Sequence, residues 1–201
     1  MNKEPLLKQV LGTDWDKLSP VLRQHYDVPN AKTNRCVLTG TMEIDYPLFI
    51  TPLIKIIRLF GGLIDIKGQQ VSTQVEKWGE PDNAFLHWRR TMQTADGQQT
   101  IFASKMAYRA ENELVELINL GFGLRLKVSE DNGDLLYQSN GHLLKLMGFC
   151  IPIPDWLVLG HATIREHALS DNNFRLEFVI RHPLCGETYR YGGVFEIKSD
   201  D

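Results

Sequence analysis

Residues 122–146 read FGLRLKVSEDNGDLLYQSNGHLLKL, and their pattern decides the fold. Phe122, Leu124 and Leu126 alternate with Gly123, Arg125 and Lys127, and a second run follows over 135–146. A period of two is that of a strand with one buried face, because successive side chains leave an extended backbone on opposite sides. Between the runs stands Glu130-Asp131-Asn132-Gly133, rich in residues that tolerate positive φ. The stretch is a β-hairpin.

The same pattern extends in both directions. Strand-like runs cover 70–78, 84–93, 100–108 and 113–120 before it, and 161–169, 173–181 and 188–198 after it. Turn signals separate them at Glu80-Pro81-Asp82-Asn83, Ala95-Asp96-Gly97, Ser170-Asp171-Asn172 and Cys185-Gly186. Leu38, Met42 and Ile44 alternate with threonines and acids in an earlier strand, placed at 36–46. Close spacing favours antiparallel neighbours, and about ten strands in up-and-down order curl or close, since a long open sheet leaves exposed edges. Near the N-terminus Leu6, Val10, Leu11, Trp15, Leu18, Val21, Leu22 and Tyr26 recur at helical spacing, interrupted at Gly12 and Pro20, which gives two short helices. The expected fold is mainly β (α+β), one domain over 1–201. It has N-terminal helices within 1–30, a first strand at 36–46, a helical lid at 47–62 and an antiparallel sheet, strongly curved or closed as a barrel, over 69–198.

Two stretches are unusually apolar for connections. The first, 47–60, is apolar nearly all round, with only Lys55 and Arg58 polar and on one face. It is too short to span a bilayer, which needs about twenty apolar residues. A lid across a barrel mouth accounts for it, with Lys55 and Arg58 in water and Ile56 packed inward; peripheral membrane contact through 47–60 is the alternative. The second, LMGFCIPIPDWLVLG at 146–160, is expected to fold back over an apolar opening as core. Pro152 and Pro154 hold Ile151 and Ile153 extended, and Asp155 caps a short turn at Trp156-Leu157-Val158.

Composition excludes some classes. A chain of 201 residues, 43% hydrophobic, can bury a sizeable core. A net charge of −3 with scattered lysines and arginines provides no field for a phosphate backbone, so nucleic acid is not expected as a partner. Three distant cysteines, Cys36, Cys150 and Cys185, suggest neither a disulfide frame nor a zinc site. With no apolar leader near the N-terminus, the cytoplasm is the expected location. No metal or cofactor is expected from the motifs, which lack G-x-S-x-G, H-E-x-x-H, G-x-G-x-x-G and the P-loop.

An ordered set of short motifs resembles a known family. HWRR at 87–90, FASKM at 102–106, LVE at 114–116, GLRLKVSEDNGDLLYQSNG at 123–141, IPIPDWL at 151–157 and RYGG at 190–193, preceded by LGTDWDKLSPVLRQHYD, are similar to the bacterial family known as domain of unknown function 4166. The resemblance spans nearly the whole chain and implies no activity, cofactor or catalytic residue. Where that family usually reads basic after IPxP this chain has Asp155, which speaks against anion binding by that loop.

Function is therefore argued from side chains that the parities turn inward. The apolar set is Leu86, Trp88 and Met92; Leu114, Ile118 and Leu120; Phe122, Leu124 and Leu126; Phe174, Leu176, Phe178 and Ile180; and Phe195 and Ile197. The same parities bring in Arg90, Glu116, His182, Tyr189 and Tyr191, with Tyr137 beside them. A buried charge needs a partner, so Arg90 and Glu116 should pair or face a wet cavity or ligand. An Arg with tyrosine hydroxyls in an apolar barrel suits a carboxylate or phosphate head whose tail fills the apolar space. The expected function is a carrier or sensor for an apolar or amphipathic small molecule such as a lipid, in a cavity of several hundred Å³. Arg90, Glu116, Tyr137, His182, Tyr189, Tyr191 and Trp88 are its candidate ligand-binding residues. The alternatives are a small cofactor-independent isomerase or cyclase using Glu116, Glu166 or His182 as base, and an accessory module that docks a protein or membrane.

Overall fold

The computed structural model describes residues 4–28, 35–59, 61–79, 85–118, 121–146 and 149–198. Among them are strands β1 Arg35–Asp45, β2 Gly68–Gly79, β3 Phe85–Gln93, β4 Gln99–Ala110, β5 Glu113–Leu117, β6 Phe122–Asp131, β7 Asp134–Leu146, β8 Phe149–Ile153, β9 His161–Ala168, β10 Asn173–His182 and β11 Gly186–Lys198. The helices are α1 Leu6–Leu11, α2 Pro20–Tyr26 and α3 Thr51–Leu59. The turn expected at 80–83 and the inward placement of Leu120 lie outside the described residues.

The strands form one antiparallel sheet in the order β6-β5-β4-β3-β2-β1-β11-β10-β9-β7-β8, and β6 also pairs with β7. That pairing closes a ten-stranded barrel, with β8 outside it on β7. The hairpin at its centre forms as the sequence dictates: Asp131 pairs with Asp134, and Asn132 and Gly133 between them have φ of 53° and 91°. Two positive values make a two-residue loop whose twist matches that of the strands. Strands bent into a closed wall approach closely where β1 crosses β11. A Cβ on Gly193 would stand 2.1 Å from the carbonyl oxygen of Thr41, so glycine is required there.

Near-continuous apolar parity fills the interior. Leu86, Trp88, Met92, Leu114, Leu126, Phe174, Phe178, Ile180 and Phe195 are buried, and Ile118, Phe122, Leu124, Leu176 and Ile197 are half-buried. The base of the barrel, where the turns 111–112, 132–133 and 169–172 lie, is plugged by α1 and α2. Leu7, Val10, Leu11, Val21 and Leu22 are buried there, each contributing roughly 2 kcal/mol relative to exposure. Pro20 starts α2 at a position where its missing N–H costs nothing, and the Ser19 N–H donates to the Gly133 carbonyl (3.0 Å), tying the plug to the hairpin.

The opposite, lid end departs from expectation in three ways. In α3 the fully buried residue is Ile54; Ile56 is 52% exposed, so the inward face is rotated from the one expected. Arg58 does not simply face water, because its guanidinium lies 3.3 Å from Asp65 and reaches the Ile101 carbonyl. The apolar connector is not core. Its first part forms β8 against β7, with Phe149, Ile151, Trp156 and Leu157 exposed, and among its described apolar residues Val158 and Leu159 are the ones that turn inward to the core. Asp155 caps nothing: the 3₁₀ turn Asp155–Leu157 has no side-chain cap, and the Asp155 carboxylate is instead engaged by β7 and β9. No helix among the described residues is long and apolar enough to cross a membrane.

Candidate functional site

Six of the seven candidate residues share one cavity. Trp88 and Arg90 on β3, Glu116 on β5, Tyr137 on β7 and Tyr189 and Tyr191 on β11 line an enclosed space of about 100 Å³. His182 does not join them. At the lid end its Nε2 donates to the Trp156 carbonyl (2.8 Å) and its Nδ1 accepts from the Leu184 N–H (3.1 Å), so it braces a turn. The volume is well below the several hundred Å³ expected, because Phe102, Met106, Leu176 and Phe178 fill much of the barrel and Ile57, Leu63 and Leu159 close the lid end.

Arg90 and Glu116 pair, as two half-buried opposite charges facing an apolar interior should. Arg90 Nη2 lies 3.5 Å from Glu116 Oε1, each side chain being 12% exposed. Ser104, one strand pair away on β4, bridges them: it accepts from Arg90 Nη1 (3.2 Å) and donates to Glu116 Oε1 (2.6 Å). The guanidinium also lies over the rings of Trp88 (4.7 Å) and Phe102 (5.1 Å). Tyr189 donates to the Ile64 carbonyl (2.9 Å) and so anchors the segment after α3. The Tyr191 hydroxyl has no hydrogen-bond partner among the described residues, and burial pushes its pKa up to about 12, so it enters the cavity as a protonated donor.

A second polar cluster was not anticipated as a unit. Helix α2 delivers His25 and Tyr26 through the base, where they meet Lys77 of β2 and Glu166 of β9. Tyr137 donates to the Tyr26 hydroxyl (2.8 Å), which donates to Glu166 Oε1 (2.8 Å). His25 Nδ1 accepts a short hydrogen bond from the Lys77 ammonium, and His25 Nε2 lies 3.1 Å from Glu166 Oε2 without the N–H being well aimed at it. Lys77 is fully buried between the rings of Tyr26 (4.3 Å) and Trp88 (4.6 Å). Desolvation lowers its pKa to about 8, and the same cause, aided by Lys77, lowers that of His25 to about 4. Burial pushes Glu166 upward, yet His25, Lys77 and Tyr26 together hold its carboxyl below the usual range. Neutral His25 thus separates a buried cation from a buried anion. Parity could have exposed this cluster, since Lys77 follows Val71, Thr73 and Val75 on the buried face of β2, and Glu166 follows Ala162 and Ile164 on β9.

Asp155 organises a third group at the lid end. Its Oδ1 lies 3.1 Å from His142 Nδ1, and its Oδ2 accepts from Ser139 Oγ (2.5 Å) and lies 3.3 Å from His161 Nδ1. Burial opposes its charge, but the neighbouring His142 and the bond from Ser139 prevail and lower its pKa. Ser139 Oγ also accepts from the Ala162 N–H (2.8 Å) and lies 3.1 Å from His161 Nδ1. Among the described residues no cluster is arranged to hold a metal ion.

Fold and site together define a closed antiparallel β-barrel with a small amphipathic cavity whose internal charges balance in pairs. The chain belongs to the family described as Domain of unknown function (DUF4166), whose model matches residues 18–195 and so takes in α2 and every polar residue of the cavity. No curated protein and no solved structure matches it.

Proposed function

We propose that the protein is a binding protein, a carrier or sensor, for a small neutral amphipathic molecule with one hydrogen-bonding head, such as an alcohol or ketone on a short apolar chain. The head meets Tyr191 and the Arg90–Glu116 pair, and the chain runs toward Phe122, Leu124 and Ile57 under the lid. The observation that carries this is the unpartnered Tyr191 hydroxyl in a cavity where every charge already has a counter-charge. An anionic head would set three negative charges against Arg90 and Lys77 in a dry site, which argues for a neutral ligand over a fatty acid. A cavity of about 100 Å³ suits a molecule smaller than benzene, which occupies an engineered cavity of about 150 Å³, or one whose tail leaves beneath α3. The exposed Cys150 and Cys185 form no disulfide, which supports a reducing compartment, the cytoplasm.

Calorimetric titration with matched n-alkyl alcohols and n-alkyl carboxylates tests the reading. Alcohols should bind at least about tenfold tighter than the acids, and Tyr191→Phe should weaken alcohol binding about tenfold, the usual worth of one neutral hydrogen bond. Folding should be unchanged, because that hydroxyl bonds nothing in the ligand-free protein. Preference for the acids, or full binding by Tyr191→Phe, would overturn it. One observation favours the enzymic alternative: the chain Tyr137–Tyr26–Glu166 opens into the same cavity. Its carboxylate is held in the ionised form by three neighbours, which makes it a weak base and the binding reading the better one.

A further inference from the structure

We propose that the lid end of the barrel docks on the surface of a lipid bilayer that contains anionic lipid. Leu48, Phe49, Leu59, Phe149, Trp156 and Leu184 are 58% to 89% exposed and come from separate segments: the approach to α3, its last residue, β8, the turn after β8, and the β10–β11 turn. All of these lie at the end where β1, β3, β5, β7 and β10 finish, opposite the plug. They also lie over the cavity, since Ile57 of α3 and the 158–160 segment line it from this end. Isolated exposed apolar residues are ordinary, but six large ones at one end of a barrel mark an interaction surface.

Charge selects the bilayer as the occupant. All but one of the carboxylates around this rim have cationic or histidine partners: Asp45 with Lys67, Asp65 with Arg58, Asp155 with His142 and His161, and Glu187 with Arg181 and Arg190; the exception, Asp96, is bonded by the Thr94 hydroxyl. Lys55 and Lys145 are exposed and have no acidic partner among the described residues. At the base Glu111, Glu130, Asp171 and Glu196 have no cation within ion-pair distance among the described residues, against Lys127, Arg175 and Lys198 without an acid, so the uncompensated charge there is net negative and the field of an anionic surface turns the lid end toward it. A protein partner that adds a strand is disfavoured, because the free strand at this end, β8, contains Pro152 and lacks a donor there. The apolar tips insert among the acyl chains while Lys55 and Lys145 meet the head groups.

Co-sedimentation of the full chain with vesicles of phosphatidylcholine alone, and of phosphatidylcholine mixed with phosphatidylserine, tests this. The protein should pellet with the mixed vesicles and several-fold less with the neutral ones. The double variant Leu59→Glu, Leu184→Glu should stay in the supernatant, while Leu169→Glu at the base pellets as before; all three side chains are exposed, so circular dichroism should show the native fold in each. Lys55→Glu with Lys145→Glu should abolish the preference for phosphatidylserine. A wild-type chain that ignores both vesicles, or a Leu59→Glu, Leu184→Glu chain that pellets fully, overturns the proposal. So does concentration-dependent self-association that the same double variant removes, because a second copy would then be the occupant. The cavity reading is separable: Tyr191→Phe should pellet normally, and Leu59→Glu, Leu184→Glu should titrate with alcohols normally in the absence of vesicles.

Discussion

At the base of the barrel, α1 and α2 bury Leu7, Leu22, His25 and Tyr26 almost completely, whereas at the other end α3 fully buries Ile54 and leaves Leu59 80% exposed. Both ends are closed by short helices of mostly apolar residues, so composition is not the difference. The base helices sink two rows of side chains into the barrel and bring their own polar groups to Lys77 and Glu166. The lid lies across its opening on one row. A plug whose buried charges depend on it cannot lift without stranding Lys77, and a lid that carries no buried charge can. The base is the end tied down by buried charge, and the lid end lacks that tie.

The sharpest way to break this comparison is to remove the base charge. Glu166→Gln leaves Lys77 buried without its counter-charge and should cost about 3–5 kcal/mol in urea unfolding. A loss under about 1 kcal/mol, the range of ordinary surface changes, would mean the base network is not what holds that end.

Acid should probe the same end. The folded-state pKa of His25 is lowered to about 4, so the unfolded chain takes up its proton first as pH falls below 6.5. Stability is complete above pH 6.5 and is lost as pH falls toward 4, by about 3 kcal/mol for a shift of this size. Glu166, held below the usual carboxylate value, adds a loss of the same sign below pH 4.5. Lys77 acts at the other extreme: lowered to about 8 in the folded chain, it should add stability as pH rises from 8 toward 10.5. Chemical denaturation of the wild type and His25→Gln across this range checks the assignment, the variant being expected to lose the slope between pH 6.5 and 4 and keep the loss below it.

The smallest effect sharpens the lid. Ile54→Ala should cost about 2–4 kcal/mol, and Ile56→Ala, two residues on and half exposed, under about 1 kcal/mol. Equal costs would mean that α3 packs on two rows as α2 does.

Much of this was legible because it is local. Alternation and Asn132-Gly133 dictate the hairpin, and parity alone turns Trp88, Arg90 and Met92 inward and so demands a partner such as Glu116. Ser104 and Lys77 were legible by the same rule, on the parity of Met106 and of Val75, but a small hydroxyl and a lysine in a strand read as solvent-facing. What local pattern cannot carry is separation along the chain. Closure needs β1 against β11, and the base network needs Tyr26 against Glu166, 140 residues on. The connector misled for a different reason: apolar residues argue for burial only when something is there to bury them, and at 149–157 the neighbours on the protein side are few.

One detail of the wall has a consequence for how the barrel opens. Strand β7 pairs with β6 along most of its length, yet on its other side it is shared, meeting β9 over Leu135–Gln138 and β8 from His142 onward. The joint between β7 and β9 is therefore a four-residue zipper, with Asp155 acting as its clasp through Ser139, His142 and His161. Elsewhere around the barrel a breach must unfasten a longer ladder, but here a guest passing sideways needs only the clasp and a few rungs to part. The amide protons of Ala162 and Ile164, which face β7, should thus trade with solvent sooner than their counterparts on β1 and β11, and the rate of that trade sets a ceiling on how fast the cavity could load through its wall.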